Sequence, residues 1–465
     1  MTATEPTRPA PQDGTLSGIW RDLPLRNAMI VAFVLRLVPM LAWIDKPCVR
    51  DECTYVDLAE SLLGGQGMVG THGWLWAPAY PALLAVHQWL FRLPGSVQIG
   101  QLFVATACVA MIFRLTEGEY GRRAALIAAW GYALNPTFIF YTSSLWSETF
   151  YSGLLIAAML ALRWARDSSG MTRALLPGAL LGLCVLFRGV ATYMAPVFIA
   201  VLLWGRVRQA SAWKQAVAST LAAVLVVAPY SVYATRKFGD LVISDRTLGQ
   251  MMYLGNNDFP PMTFDYGNGD LSNRAYERAT SAGRAPCAQE GNPVEKDGCE
   301  AKAGIAWIKE HPSTFLARVP LRVAQLVTPH SFLTRNLRWG RWRGLPDWMD
   351  EALIVTVAGF SFATLVGGTL GWFSRAKSWY AAGSGLILLY HVAAIATLAG
   401  LSRYRIPLEP LWLVHAAAFY AEPRAALKVL SNGSIRSIIG VFTVFFLIAL
   451  MLKFLPAGWP WWRTW

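Results

Sequence analysis

Apolar positions in this chain come in long unbroken runs, not in the alternation of a half-buried strand or the narrow stripe of a surface helix. From Asn27 to Lys453 each run is about 17 to 25 residues, enough for a helix to cross roughly 30 Å of hydrocarbon. The pattern marks the segments 28–44, 97–115, 123–140, 149–165, 174–188, 190–205, 215–233, 351–373, 379–399, 405–421 and 436–454. The expectation is an all-α integral membrane protein of about eleven transmembrane helices, in a range of about 10 to 13.

Basic residues fall in alternate connections: Arg21 and Arg26; Arg114, Arg122 and Arg123; Arg163, Arg166 and Arg173; Arg206, Arg208 and Lys214; Arg375 and Lys377; Arg424, Lys428 and Arg436. The positive-inside rule makes these loops cytoplasmic, with the amino terminus inside and the carboxyl terminus outside. Four regions follow. Residues 1–26 read as a disordered cytoplasmic tail, with no cleavable signal ahead of the first span. Residues 27–233 form an amino-terminal transmembrane module whose first outer loop is 45–96, with interfacial helices over 55–63 and 74–91. Residues 234–350 are an outer loop domain rich in turn formers, and residues 351–465 carry the last spans. Within the loop domain, 310–329 holds Arg318, Arg322, Pro312 and Pro320 and reads as an amphipathic helix at the outer interface. As a span it would turn Arg403 and Arg405 inward.

Composition agrees with the pattern. Of 465 residues, 55% are hydrophobic and 15% charged, well below the ~25% charge of soluble chains. The net charge of +13 reflects cytoplasmic loops and anionic lipid, so membrane lipids are partners and nucleic acid is not. Cys48, Cys53, Cys287 and Cys299 all fall on the outer, oxidising side, in two close pairs; Cys108 and Cys184 lie inside spans as apolar fillers. Pairing 48–53 and 287–299 is expected. No His stands at ligand spacing from either pair, so no metal site is expected.

The chemistry gathers on the outer face. Asp51 and Glu52 follow the first span directly, where carboxylates can take a proton from an acceptor hydroxyl or simply form a solvated helix end. Glu148 begins another span on the same side, as an orienting group or as a carboxylate favoured by the helix macrodipole. Arg36, inside the first span, reads as a helix–helix hydrogen-bond donor. Arg188 and the Arg403-Tyr404-Arg405 stretch are cations on the wrong side for the positive-inside rule. A lipid phosphate gripped by guanidinium groups explains them. Arg335, Arg338, Arg341 and Arg343 read as headgroup anchors.

These residues resemble a family. Asp51-Glu52 with Tyr55, Ala59, Leu62, Gly65 and Gly67, then Pro78-Ala79-Tyr80-Pro81, are similar to the first outer loop of GT-C type membrane glycosyltransferases. The group is that of protein O-mannosyltransferases and aminoarabinose transferases (glycosyltransferase family 39-like). Asn135-Pro136, Ser147-Glu148, Arg188, Phe238-Gly239, Leu254-Gly255-Asn256-Asn257, His311-Pro312 and Arg403-Tyr404-Arg405-Ile406-Pro407 continue the likeness in order, over roughly residues 28 to 425. The resemblance implies an inverting glycosyltransferase using a polyprenyl-phosphate-linked sugar at the outer face of the cytoplasmic membrane. Asp51 would be the general base, with Glu52 and Glu148 as positioning carboxylates. Tyr55, Trp76, Tyr80, Asn256, Asn257 and Tyr404 would line donor and acceptor. The donor is a co-substrate; no cofactor or metal is required. The acceptor class stays open among glycan, lipid and protein.

Two departures matter. Thr54 stands where the aminoarabinose transferases carry Arg, and Trp76-Ala77 where they carry Lys ahead of the loop prolines. Phosphate binding therefore shifts to Arg188, Arg403 and Arg405, with Arg50 and His72 beside them. No soluble domain is expected after the last span. The competing reading is a transporter or flippase of a lipid-linked sugar, which would place its charges near the bilayer midplane in two related halves. Here they gather at one face. Thiol labelling of denatured, unreduced protein should find two free cysteines out of six; six reactive thiols would remove both bridges.

Overall fold

The computed structural model describes residues 21–49, 51–68, 75–258, 286–287, 290–328, 333, 346–375, 378–398 and 402–453. The chain is helical throughout these residues, and its one extended pairing is the bridge between Leu75 and Arg246. The amino-terminal module holds α1 (Leu23–Trp43), α2 (Asp51–Leu63), α3 (Ala79–Phe91), α4 (Val97–Tyr120), α5 (Arg122–Leu134), α6 (Pro136–Thr142), α7 (Glu148–Arg166), α8 (Thr172–Phe187), α9 (Ala195–Leu203) and α10 (Ala210–Phe238). An outer layer follows: α11 (Leu248–Gly255), α12 (Pro293–Glu310) and α13 (Pro312–Val327). The chain continues with α14 (Asp347–Arg375), α15 (Trp379–Thr397), α16 (Glu409–Ala421), α17 (Pro423–Leu430) and α18 (Ile435–Lys453).

The sequence explains the ends. Asp22 caps α1 through the Leu25 amide, and its carboxylate receives both terminal nitrogens of Arg122, at 2.6 and 2.9 Å. Between α5 and α6, Asn135 accepts from the Thr137 amide and Pro136 takes the first helical position, which starts a new helix and breaks the old one. Arg36 occupies the gap. It donates to the carbonyls of Tyr132 (2.9 Å) and Ala133 (3.0 Å), which the break left without intrahelical partners.

Packing is closest where side chains vanish. A Cβ on Gly178 of α8 would lie 2.0 Å from the Ser219 carbonyl of α10, and one on Gly371 of α14 2.0 Å from the His415 carbonyl of α16. Small residues thus bring these helix pairs to backbone contact, as in membrane helix dimers. Helix α7 is buried along its length through Leu155, Ile156, Ala158, Met159 and Leu162. By contrast, Val38 and Leu41 of α1, Leu221 and Leu225 of α10, and Phe442 and Phe445 of α18 are exposed, an apolar surface suited to lipid.

Among the described residues five helical segments are long and apolar enough to cross a membrane: Leu23–Trp43, Pro94–Tyr120, Ala210–Phe238, Trp348–Arg375 and Trp379–Thr397. A sixth arises if α17 and α18, bent by 113°, form one span. Several other apolar runs are interrupted. The 123–140 run breaks at Asn135. The 190–205 run is a 3-10 turn at Gly189–Ala191 and then α9, whose 9 residues reach about 14 Å. The 405–421 run opens on the last residue of another 3-10 turn, Ser402–Arg405, and holds only the 13 residues of α16 as helix.

The 310–329 segment is the helix α13, packed on α15 and on the Ser402–Arg405 turn. Its arginines point into the protein. Arg322 donates to the carbonyls of Gly255 (2.6 Å) and Ala396 (2.8 Å) and to Asn256 Oδ1 (2.9 Å); Arg318 donates to the carbonyls of Gly255 and Asn257. The Cys287–Cys299 bridge lies at the start of α12, and Asn292 Nδ2 caps the end of α10 at the Phe238 carbonyl. The 239–247 link is held by the Arg246 amide on the Leu75 carbonyl (2.7 Å) and by Asp297 accepting from the Gly249 amide (2.6 Å).

Arg322→Gln leaves one buried and two part-buried acceptors short of a charged donor and is expected to cost roughly 2–4 kcal/mol, read as a lower melting temperature and faster proteolysis of the α11–α13 layer. An unchanged melt would remove Arg322 as its anchor. In the same layer, burial pushes the Asp245 carboxyl up to about 6, with Asp297 adding to the shift and the Thr247 hydroxyl opposing it. An unfolded Asp titrates near ~3.9, so this proton stabilises the fold fully below that value. The contribution is lost as pH rises through about 6. Asp245→Asn should flatten the decline in thermal stability across that window; an identical pH profile would exclude Asp245 as its source.

Candidate active site

Asp51 is the first residue of α2, where the macrodipole favours an anion. The Cys48–Cys53 bridge closes the turn that presents it. Glu52 faces inward and is fully buried: its two oxygens accept from the amides of Val49 (3.0 Å) and Leu145 (2.9 Å). It therefore ties the start of α2 to the segment that begins α7. Gln101, in the second turn of apolar α4, supports that segment by donating to the carbonyls of Thr142 and Ser144, both at 2.8 Å.

Four charged groups from separate parts of the chain meet at this end. Glu148 Oε1 accepts from Arg188 Nη1 at 2.8 Å and from Arg403 Nε. Arg403 reaches on with Nη1 to Asp51 Oδ2 at 2.5 Å. The order is Arg188, Glu148, Arg403, Asp51, with charges alternating. Glu148 is 0% exposed and Arg403 7%, whereas the Asp51 side chain is 49% exposed. The buried Glu148 and Arg403 thus lie between the part-buried Arg188 at one end and a carboxylate open to solvent at the other. Trp146 lies under the Arg403 guanidinium at 4.6 Å, and Tyr151 under that of Arg188 at 5.8 Å.

Aromatic residues wall one side. Tyr55 stands edge-on to Trp76 (5.0 Å) and to Tyr80 (4.9 Å), and the Tyr80 hydroxyl donates to Gln101 Oε1 at 3.0 Å. Behind Arg188, the Asp245 carboxylate fills the space a Cβ on Gly189 would need, with Oδ1 at 1.9 Å from that position. Tyr404 turns toward the outer layer, its hydroxyl 3.6 Å from Met251 Sδ.

Arg405 requires a correction. It does not join Arg188 and Arg403. It is 4% exposed, pairs with Glu409 at 3.3 Å, and donates to the carbonyls of Leu326 (2.8 Å) and Thr328 (2.7 Å) and to Ser361 Oγ (3.2 Å). The Ser402–Arg405 3-10 turn has about three residues per turn, so side chains two apart diverge by roughly 120°, and the Arg-Tyr-Arg stretch sends one cation to the site and one into the core. Asn256 and Asn257 are likewise structural in place: their amides donate to the carbonyls of Thr397 (2.9 Å) and Tyr253 (2.7 Å). Arg50, His72 and Arg335, Arg338, Arg341 and Arg343 lie outside the described residues. Among the described residues no group of three His, Cys, Asp or Glu side chains is arranged to hold an ion.

Gln101, Trp146, Tyr151 and Asp245 carry no site expectation in the sequence. A lone Gln in an apolar helix and an Asp in a turn-rich link are the signals that were available. Both are weak, because neither belongs to a motif.

No family model and no curated protein sequence matches the chain. Among solved structures it is similar to the archaeal oligosaccharyltransferase AglB from Archaeoglobus fulgidus in complex with an inhibitory peptide and a dolichol-phosphate. That likeness has 16% identity and a TM-score of 0.49, over 95% of this chain and 55% of that one. It is also similar to ArnT from Cupriavidus metallidurans bound to undecaprenyl phosphate, with 12% identity and a TM-score of 0.42, over 88% of this chain and 78% of that one. The chain spans about half the length of the oligosaccharyltransferase. The likeness is loose, and the site's own residues carry the functional reading.

Proposed function

We propose that this chain is an inverting glycosyltransferase that moves a sugar from a polyprenyl-phosphate donor to an acceptor hydroxyl at the outer face of the cytoplasmic membrane. The observation that supports this reading is the convergence of Asp51, Glu148, Arg188 and Arg403 at one end of the helices, with only Asp51 substantially open to solvent.

In the proposed step Asp51 accepts the acceptor's hydroxyl proton while that oxygen forms a bond to the anomeric carbon of the sugar. The bond from that carbon to the phosphate oxygen breaks, and its electron pair leaves on the polyprenyl phosphate. The leaving phosphate gains one negative charge, which Arg188 and Arg403 are positioned to receive. A single displacement of this kind inverts the anomeric centre and requires no second carboxylate as nucleophile. Glu148 keeps the two guanidinium groups together, and Glu52 holds the base's helix in place. Trp76, half-buried and backed edge-on by the buried Tyr55, offers an aromatic surface to a sugar ring or a prenyl chain. The proposal includes independence from metal, because the two nearby carboxylates are engaged with arginines.

The test uses purified full-length protein, a panel of radiolabelled polyprenyl-phosphate sugars and a membrane extract as acceptor. Wild type should transfer label, and Asp51→Asn should lose roughly 10²–10⁴-fold of the rate while remaining monodisperse. Equal transfer by both proteins would discard the base assignment. Arg188→Gln is expected to raise the donor KM well above any change for the acceptor, and Arg405→Gln to lower stability without that selective rise. Transfer should persist in chelator; restoration of a lost rate by divalent ions would overturn metal independence.

A further inference from the structure

In this fold the residue assigned as base and a residue assigned to the phosphate are bound to each other. Arg403 spends its Nε on Glu148 and its Nη1 on Asp51, the latter at 2.5 Å. These two partners differ in what it takes to replace them. Glu148 is fully buried and is also held by Arg188 at 2.8 Å. Asp51 is half exposed and is held here by its side chain alone, since its backbone is fixed by α2 and the neighbouring bridge. Rotation about two side-chain torsions is enough to free it. A phosphate arriving from outside meets the Asp51 side of the guanidinium first, and competes for it with more charge and more acceptor oxygens.

Resting on the donor reading above, we infer that Asp51 and the donor phosphate compete for Arg403. The pairing masks the base, and binding of the polyprenyl phosphate releases it by taking over the guanidinium. Asp51 then turns toward the acceptor only when a leaving group is in place. The contact is an ordering device: the donor binds first, and the free carboxylate is made by that binding. Arg403 therefore acts twice, as the partner that holds the base and as a ligand of the leaving group.

The test measures binding of undecaprenyl phosphate to full-length protein in nanodiscs. Asp51→Asn, which should abolish transfer, is expected to bind this lipid about tenfold more tightly than wild type, because a competitor for Arg403 is gone. In an Arg403→Gln background the same Asp51→Asn change should add no tightening, as a double-mutant cycle reads direct coupling. Equal or weaker binding by Asp51→Asn overturns the inference, and so does tightening that persists without Arg403, which would mean general charge repulsion. Arg403→Gln leaves Glu148 with one fewer cation and risks the fold, so a second measurement uses wild type alone. Carbodiimide amidation of Asp51, followed by mass spectrometry, should rise several-fold when undecaprenyl phosphate is added. A flat response with the lipid demonstrably bound overturns the competition and leaves the donor reading standing. Failure of every variant and of wild type to bind the lipid overturns both.

Discussion

Two guanidinium groups brought together in a protein interior repel strongly unless an anion lies between them, and here that anion is Glu148. The rest of the site depends on this arrangement. Without the shared carboxylate, the C-terminal end of α8 and the turn before α16 would carry uncompensated charge toward each other. With it, elements far apart in sequence close on one point, and the last cation is left to reach Asp51. The cost of burying Glu148 is offset by two charge-assisted contacts to one of its oxygens. That balance favours specificity of assembly over raw stability, since a wrong docking would strand at least one charge.

A second use of arginine runs through the structure. At several helix ends among the described residues, carbonyls left without intrahelical partners are collected by a long cationic side chain. Arg36 does so at the end of α5, and Arg166 at the end of α9 through Leu202 and Trp204. Arg318 and Arg322 do so at the end of α11, and Arg405 at the end of α13. Several cations that the positive-inside rule treats as misplaced are therefore neither loop charge nor ligand contacts. They permit short and broken helices to exist without water.

Much of the fold was legible because hydrophobic runs record burial or lipid exposure over about twenty residues at a time. Breaks within those runs were not, since Asn135-Pro136 reads equally as a kink in one span or the start of another helix. At the site, the placement of Asp51, Glu148, Arg188 and Arg403 at one end followed from alternating loop charge together with the family resemblance. Arg405 misled for a geometric reason: a 3-10 turn separates side chains that sequence sets side by side. Glu52, expected as a positioning carboxylate, accepts from the backbone amides of Val49 and Leu145. Gln101 and Asp245 were invisible because their importance comes from partners dozens or more positions away, and no local pattern encodes such a pairing.

The Asp51–Arg403 contact joins residues 352 positions apart. Few contacts in a chain of this length are less local, and contacts of this kind form late. At ribosomal speeds of roughly 5–20 residues per second, the loop that carries Asp51 is made on the order of tens of seconds before its counter-cation exists. During that interval Asp51 has neither Arg403 beside it nor the pocket behind it. The carboxylate and the guanidinium are thus brought into register by completion of the chain, so that an unfinished or truncated copy carries the Asp51 loop without the site.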